Sequence, residues 1–439
     1  MKQLRKKDRW SIIRNSVLIS TILALVAGCS TNAAVPLEEK EQNSSQIEKV
    51  DINAWKMDYW NEQRKGSNFM NSTSLPDNYA AAKEQGIEFI RLAPDKWGKD
   101  RDFLFNDKSD TKPNEEFLMG SADSYEGIVE EDFARLLADL DAAEAKGMKV
   151  ILTVLSLPGD RWRQFNGQKN DDRIWQERDY HSQAALFWRD LATRLKNHPA
   201  IIGYNLINEP HPETATGFND FWTQDYTAWY KKVENTSADL NVLYDAMITG
   251  VRSVDTTTPI IIDSGLYATP WAFSYLKPID DPNVLYAFHM YEPYELTSQN
   301  KNKGFTYSYP GMVKVGNDEK EMKFDKQALK QFMEPVVKWA TDNNIPANRI
   351  IASEFGTNRM VKGADLYMSD LISLFDEQGW HWSFYAFRED TWDGMDYEFG
   401  SEKLSYKYWD ARDKGETYIP ATSDNPIWNA IKKGLGHRL

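Results

Sequence analysis

The chain has 439 residues, with 52 Lys and Arg against 66 Asp and Glu, for a formal charge of −14. So acidic a balance argues against a nucleic-acid partner and suits a neutral one. A single cysteine excludes an internal disulfide framework and a zinc-thiolate site, so stability must come from a packed core.

The first 28 residues read as a targeting segment. Lys2, Arg5, Lys6, Lys7, Arg9 and Arg14 precede an apolar stretch over 17–27, and Leu25-Val-Ala-Gly-Cys29 sets small residues directly before the cysteine. The pattern resembles a bacterial lipoprotein signal, which implies that Cys29 becomes the lipidated first residue of the mature chain. Acyl chains there would hold the protein at a membrane surface, at about 0.8 kcal/mol per buried CH₂. Ser30, rather than an acidic residue, follows the cysteine; by resemblance to envelope lipoproteins of double-membraned bacteria, that implies the outer membrane. Cleavage before Cys29 would remove six basic residues and one acidic one, taking the formal charge from −14 to −19. Residues 29–47 are polar without a sustained period and read as a flexible tether. Residues 48–439 read as one folded body, long for a bare barrel of about 250 residues, so extended loops are expected.

Within that body eight apolar runs alternate with helical stretches: 67–70, 87–92, 149–155, 201–208, 259–263, 284–290, 349–354 and 380–387. Helical spacing recurs over 133–145, 181–196, 240–254, 324–340 and 364–377; in the second, Ala184, Phe187, Trp188, Leu191 and Leu195 share one apolar face. Strands apolar on both sides with helices between them imply parallel pairing. Eight such units predict an α/β fold closed into a (β/α)8 TIM barrel, with an open doubly wound sheet as the rival. Long connections at 97–132, 160–180, 211–239 and 292–324 separate these units, and three of them are rich in rings, including Trp162, Phe165, Trp175, Trp222, Trp229 and Tyr307. Such rings either line a cleft or pack the loops onto the barrel. Asp424-Asn-Pro opens a capped terminal helix.

Two runs end on glutamate. Glu209 in Gly203-Tyr-Asn-Leu-Ile-Asn-Glu-Pro210 and Glu354 in Ile350-Ile-Ala-Ser-Glu-Phe-Gly356 each stand where a strand stops and a loop begins. The C-terminal strand ends of a barrel converge on one face, so the two carboxyls are expected to meet there. Such a pair suits hydrolysis of a glycosidic bond, one group as acid and the other as nucleophile.

With these motifs the chain resembles glycoside hydrolase family 5, the cellulase-type family of retaining β-glycosidases, from about Gly66 onward. The resemblance implies that Glu209, in Asn208-Glu209-Pro210, is the acid/base and that Glu354 is the nucleophile. It also implies that Arg91 lies near the nucleophile, that His289 and Tyr291 form the sixth-strand His-x-Tyr pair, that Gly66-Ser-Asn68 matches the first-strand motif, and that Trp271 binds substrate after the fifth strand. Asn208 is suited to hold the substrate 2-hydroxyl, and Arg91 with Tyr291 to keep Glu354 charged and aimed. No metal or organic cofactor is required by this chemistry.

Two departures bear on the sugar accepted. Leu155 in Thr153-Val-Leu-Ser-Leu-Pro-Gly159 stands closest to a position where many members carry His, and the final strand offers Tyr385 or Trp382 where a Trp commonly lies beneath the sugar. The charged loop 388–396 either contacts the substrate rim or pairs with itself. The leading expectation is a monomeric endo-β-1,4-glucanase acting on β-linked polysaccharide, its membrane partner being lipid through Cys29. The alternatives are a β-mannanase, an exo- or endo-β-1,3-glucanase, and a non-catalytic glycan-binding envelope lipoprotein.

Overall fold

The computed structural model describes residues 53–97, 115–163, 166, 169–389, 392–413 and 425–438. The targeting segment, Cys29, the tether and Phe165 lie outside the described residues. Eight strands, β1 (Lys65–Phe69), β2 (Phe89–Leu92), β3 (Lys149–Thr153), β4 (Ile201–Asn205), β5 (Ile260–Asp263), β6 (Val284–Met290), β7 (Ile350–Phe355) and β8 (His381–Phe384), pair in parallel. The eighth returns to the first, which makes a closed barrel and disposes of the open-sheet rival.

Helices α1 (Asp77–Glu84), α2 (Glu130–Ala145), α3 (Arg178–Leu195), α4 (Leu240–Arg252), α5 (Glu334–Asp342), α6 (Ala364–Gln378) and α7 (Pro426–Gly434) follow strands β1 to β4 and β6 to β8. Between β5 and β6 there is only a short 3₁₀ segment, Pro270–Tyr275, at the place of a barrel helix. On α3 the residues at helical spacing, Ala184, Phe187, Trp188, Leu191 and Leu195, are buried against the sheet. Each Leu or Phe side chain so buried contributes about 1.5–3 kcal/mol.

The interior is layered by the two-residue period of the strands. Phe89, Ile151, Ile202, Ile261, Leu285, Ala287 and Ile351 fill the lower barrel, and Trp60 plugs its N-terminal mouth with its indole Nε1 donating to Ile202 O at 3.1 Å. Gly66 faces this layer on β1; a Cβ there would stand 2.6 Å from the Phe89 ring, so the neighbouring phenyl occupies the space a side chain would need. Two residues further along the same strands the composition turns polar: Phe89 gives way to Arg91, Ile261 to Asp263 and Ala287 to His289. Apolar packing below therefore supports a charged layer above, at the C-terminal face.

A bulge sharpens that layer. Phe288 pairs with Ala352, but the next residue, His289, pairs with Glu354, so Ser353 is skipped and Glu354 is brought level with His289.

Candidate active site

Glu209 and Glu354 meet at the C-terminal face, one carboxylate oxygen of each lying within 4.8 Å of the other. Glu354 stands near the end of β7, still paired with His289, whereas Glu209 is carried by backbone that has left the ladder after Asn205. The turn that carries Glu209 is pinned below by Trp188 Nε1 donating to Leu206 O at 2.8 Å and by Asn208 N donating to Val154 O at 2.9 Å. Glu209 itself takes the left-handed conformation, φ 50°, and its N–H donates to Asp263 Oδ2 at 3.2 Å.

Arg91 organises the floor. Its Nη1 donates to Glu354 Oε1 at 2.6 Å and to Asn68 Oδ1 at 3.1 Å, its Nε to Asn205 Oδ1 at 2.8 Å, and its Nη2 to Asn208 Oδ1 at 2.7 Å. Fully buried, the guanidinium has every face spoken for, with Asp263 Oδ2 a further 3.6 Å from Nη2. Tyr291 OH donates to the other oxygen of Glu354 at 2.7 Å. His289 Nδ1 lies 2.8 Å from Glu209 Oε1, and its Nε2 is 3.6 Å from Asp263 Oδ2.

Two negative charges at this separation repel by about 3–4 kcal/mol at an effective dielectric of about 20, enough to keep one proton on the pair. Their surroundings decide where it sits. Burial raises both carboxyls, but Arg91 and the Tyr291 hydroxyl oppose the rise on Glu354, whereas on Glu209 the charge of Glu354 adds to it. The proton therefore rests on Glu209 and the charge on Glu354. Burial, helped by Arg91, holds His289 well below its ordinary value, so the imidazole is neutral.

Glu209, His289 and Glu354 also meet the geometric requirement for three donors around a cation. Against that use, Glu354 is already engaged by a guanidinium and a phenol, and the proton on Glu209 would have to leave.

Of the other residues singled out from sequence, Tyr385 belongs to this face. Half-buried, it packs against the cluster of Met70, Ala93 and Leu155, as Trp162 also does, and its OH donates to Glu389 Oε2 at 2.9 Å. Leu155 thus contributes an apolar wall where its N–H, but not its side chain, makes a polar bond, to Asp95 Oδ1 at 2.8 Å. Trp382 does not reach the site. It lies three residues before Tyr385, hence in the opposite phase of the strand; fully buried, it packs against Phe355 with Nε1 donating to Asp376 Oδ1 at 3.2 Å. Trp271 is likewise directed elsewhere: the 3₁₀ segment turns it onto Phe221 and Tyr226, with ring centroids at 5.7 and 5.2 Å. In the charged loop, Arg388 pairs at 2.8 Å with Glu398, which lies just beyond the loop.

Sequence reasoning passed over Asn205 and Asp263. Asp263 ends the apolar run 259–263, the same signal that marked the two glutamates. Buried between Arg91, Asn205 and the Glu209 N–H, its pKa is pushed up to about 6 because burial outweighs the guanidinium.

Comparison with known proteins adds to this geometry. The model of the cellulase family, glycosyl hydrolase family 5, matches residues 48–391. Endoglucanase C of Acetivibrio thermocellus is 23% identical over 263 residues, which cover 54% of this chain and 67% of that protein. Among solved structures, the chain is similar to Thermotoga maritima Cel5A in complex with mannotriose, at a TM-score of 0.54 and 16% identity over 85% of this chain and 99% of the other. A second structure of that enzyme, with cellobiose, gives a TM-score of 0.53 and 15% identity over 86% and 99%.

Proposed function

The chain belongs to glycosyl hydrolase family 5 and is a glycoside hydrolase; from that premise we propose that it cleaves β-1,4-linked glucan inside the chain, with retention at the anomeric carbon. The observation that carries this reading is the carboxyl pair itself, with oxygens within 4.8 Å and one member held charged by Arg91 and Tyr291. Retaining enzymes keep their carboxyls ~5–5.5 Å apart, whereas inversion needs ~6.5–9.5 Å to admit a water.

In this reading Glu354 attacks the anomeric carbon as Glu209 gives its proton to the departing oxygen, so one carbon–oxygen bond forms as the glycosidic bond breaks. Water, deprotonated by Glu209, then displaces Glu354 from the sugar. Asn208 Oδ1 is taken by Arg91, which leaves its Nδ2 to donate to the substrate 2-hydroxyl. His289 orients Glu209, and Tyr385 supplies the ring beneath the sugar. Proton transfer and attack are both made by carboxyls, so no metal or organic cofactor takes part.

Glucan is supported by the relative named an endoglucanase. Mannan is the second reading, supported by the mannotriose complex of Cel5A. Incubating the form that begins after Cys29 with cello-oligosaccharides, mixed-linkage glucan, β-1,3-glucan and mannan, and resolving products over time, separates them. Internal scission of β-1,4-glucan is expected. Exclusive cleavage of mannan or β-1,3-glucan would replace the substrate, and binding without turnover would replace the enzyme with a glycan-binding protein.

The N-terminal motif supports one further part of the proposal: a lipid anchor at Cys29 that holds the enzyme in the bacterial envelope, at the outer membrane. Cys29→Ser should move the protein from the membrane fraction to the soluble one and end incorporation of labelled palmitate. Unchanged labelling would contradict the anchor.

A further inference from the structure

Glu209 has left the ladder, yet its backbone is fixed. Strands β4 and β5 pair as far as Asn205 and Ile261, and the ladder closes with Leu206 N donating to Ile261 O at 3.2 Å. Beyond that point a β5 side chain takes over from the β5 carbonyls: Asp263 Oδ2 accepts the Glu209 N–H at 3.2 Å. Glu209 adopts φ 50°, a left-handed conformation that costs a residue with a side chain about 1–3 kcal/mol and persists only where the surroundings hold it. Asp263 supplies part of that hold.

The carboxylate is itself held in place. Asn205 Nδ2 donates to its Oδ1 at 2.9 Å, while Asn205 Oδ1 accepts from Arg91 Nε at 2.8 Å. Tyr244 OH donates to the Asp263 carbonyl at 2.7 Å and fixes the strand end. Oδ2 lies 3.6 Å from Arg91 Nη2 and equally far from His289 Nε2. That nitrogen has no hydrogen-bond partner among the described residues, and the opposite one, Nδ1, lies 2.8 Å from Glu209 Oε1. Asp263 thus borders the acid twice, at its backbone and, across the imidazole, at its side chain.

Charge adds a second effect. Arg91 brings one positive charge, which Glu354 answers at 2.6 Å, so a charged Asp263 is in excess. With a pKa of about 6 it is charged at neutral pH. Glu209 is faced by Glu354 from β7, Arg91 from β2, Asp263 from β5, His289 and Tyr291 from β6, and Tyr267 after β5. Asp263 is faced by Arg91, Glu354, His289 and Tyr244. In that company Arg91 favours ionisation of Glu209, and Asp263 opposes it alongside Glu354.

We infer that Asp263 is a positioning residue for this reaction: it fixes the backbone that carries the acid and sets a negative charge beside it. The inference rests on the retaining-hydrolase reading and deepens it with a third carboxylate, fully buried, that acts through Glu209 and not on the sugar. Glu209 moves the proton; Asp263 keeps it there until the leaving oxygen takes it.

The test is the pH profile of kcat/KM on the oligosaccharide that the enzyme cleaves fastest. Asp263→Asn removes the charge and keeps an oxygen for the Glu209 N–H. Its amide, however, meets Asn205 Nδ2 donor to donor. Adding Asn205→Asp restores the pair, because a carboxylate there accepts both from that amide and from Arg91 Nε, and it places the charge against Arg91 and away from the Glu209 N–H. In Asp263→Asn the high-pH limb should move about one pH unit lower, as the acid ionises more readily, and the plateau below it should drop by about three- to tenfold. The double variant should regain the thermal stability of the unaltered enzyme and keep the lowered limb. A loss of plateau with the limb unmoved, in either variant, would make Asp263 a structural part and overturn the role. If the unaltered enzyme cleaves no oligosaccharide, the retaining-hydrolase reading fails first and takes the role with it.

Discussion

Glu354→Gln is expected to lower kcat by at least about 10⁴-fold on every β-glycoside, because a neutral amide cannot form the glycosyl ester. The change preserves shape, so substrate affinity should move little. Stability is a sharper question, since removing the anionic partner of a buried arginine commonly costs about 3–5 kcal/mol. Here Asp263 Oδ2 remains 3.6 Å from the same guanidinium, and three asparagine side-chain oxygens stay bonded to it. The charge is not stranded, and the variant should fold. Circular dichroism, thermal unfolding and kcat measured on one preparation decide the matter; a folded variant retaining more than about a hundredth of the activity would remove Glu354 from the nucleophile's role.

Glu209→Ala should act selectively. Loss of a general acid costs about 10²–10⁴-fold where the leaving group needs a proton, and little where it does not. Oligosaccharide hydrolysis should therefore collapse, while formation of the glycosyl-enzyme from a dinitrophenyl glycoside survives. Its breakdown, now lacking a base, should be rescued by azide to give a β-glycosyl azide. The pH profile gives the same group a second signature. On the proposed roles the acid form of Glu209 is the active one in the free enzyme, and burial with the charge of Glu354 raises its pKa. Thus kcat/KM should hold as pH rises until Glu209 ionises and then fall. The low-pH limb reports protonation of Glu354. With a dinitrophenyl substrate, Glu209→Ala should abolish the high-pH limb and keep the low-pH one; an unchanged high-pH limb would assign it to another group.

The barrel was legible because its strands are buried on both faces, which leaves near-continuous apolar runs, and because α3 keeps strict helical spacing. Strand ends were less so. The run 201–208 reads as one strand, yet the ladder stops at Asn205, and residues 206–209 leave it to aim Glu209 across the barrel mouth. The apolar residues continue there because the turn is itself buried, so hydropathy carries no mark of the departure.

Glu209, Glu354, Arg91, Asn208, His289 and Tyr291 could be gathered from sequence because each lies near or just past the C-terminal end of a strand that has to point at one face. Trp382 and Trp271 could not be placed that way. The face a ring presents depends on the phase of a short strand and on the path of a loop, and a shift of one residue reverses it.

Two carboxyls divide the roles of proton donor and nucleophile at a distance that leaves no room for a water between Glu354 and the sugar as the glycosidic bond breaks. Proton NMR of the first product released from a β-linked oligosaccharide, recorded before mutarotation, tests it most directly. Retention predicts the β anomer as the initial product, with the α anomer appearing only as the solution equilibrates; release of the α anomer first would contradict a covalent intermediate on Glu354 and the assignment of both glutamates with it.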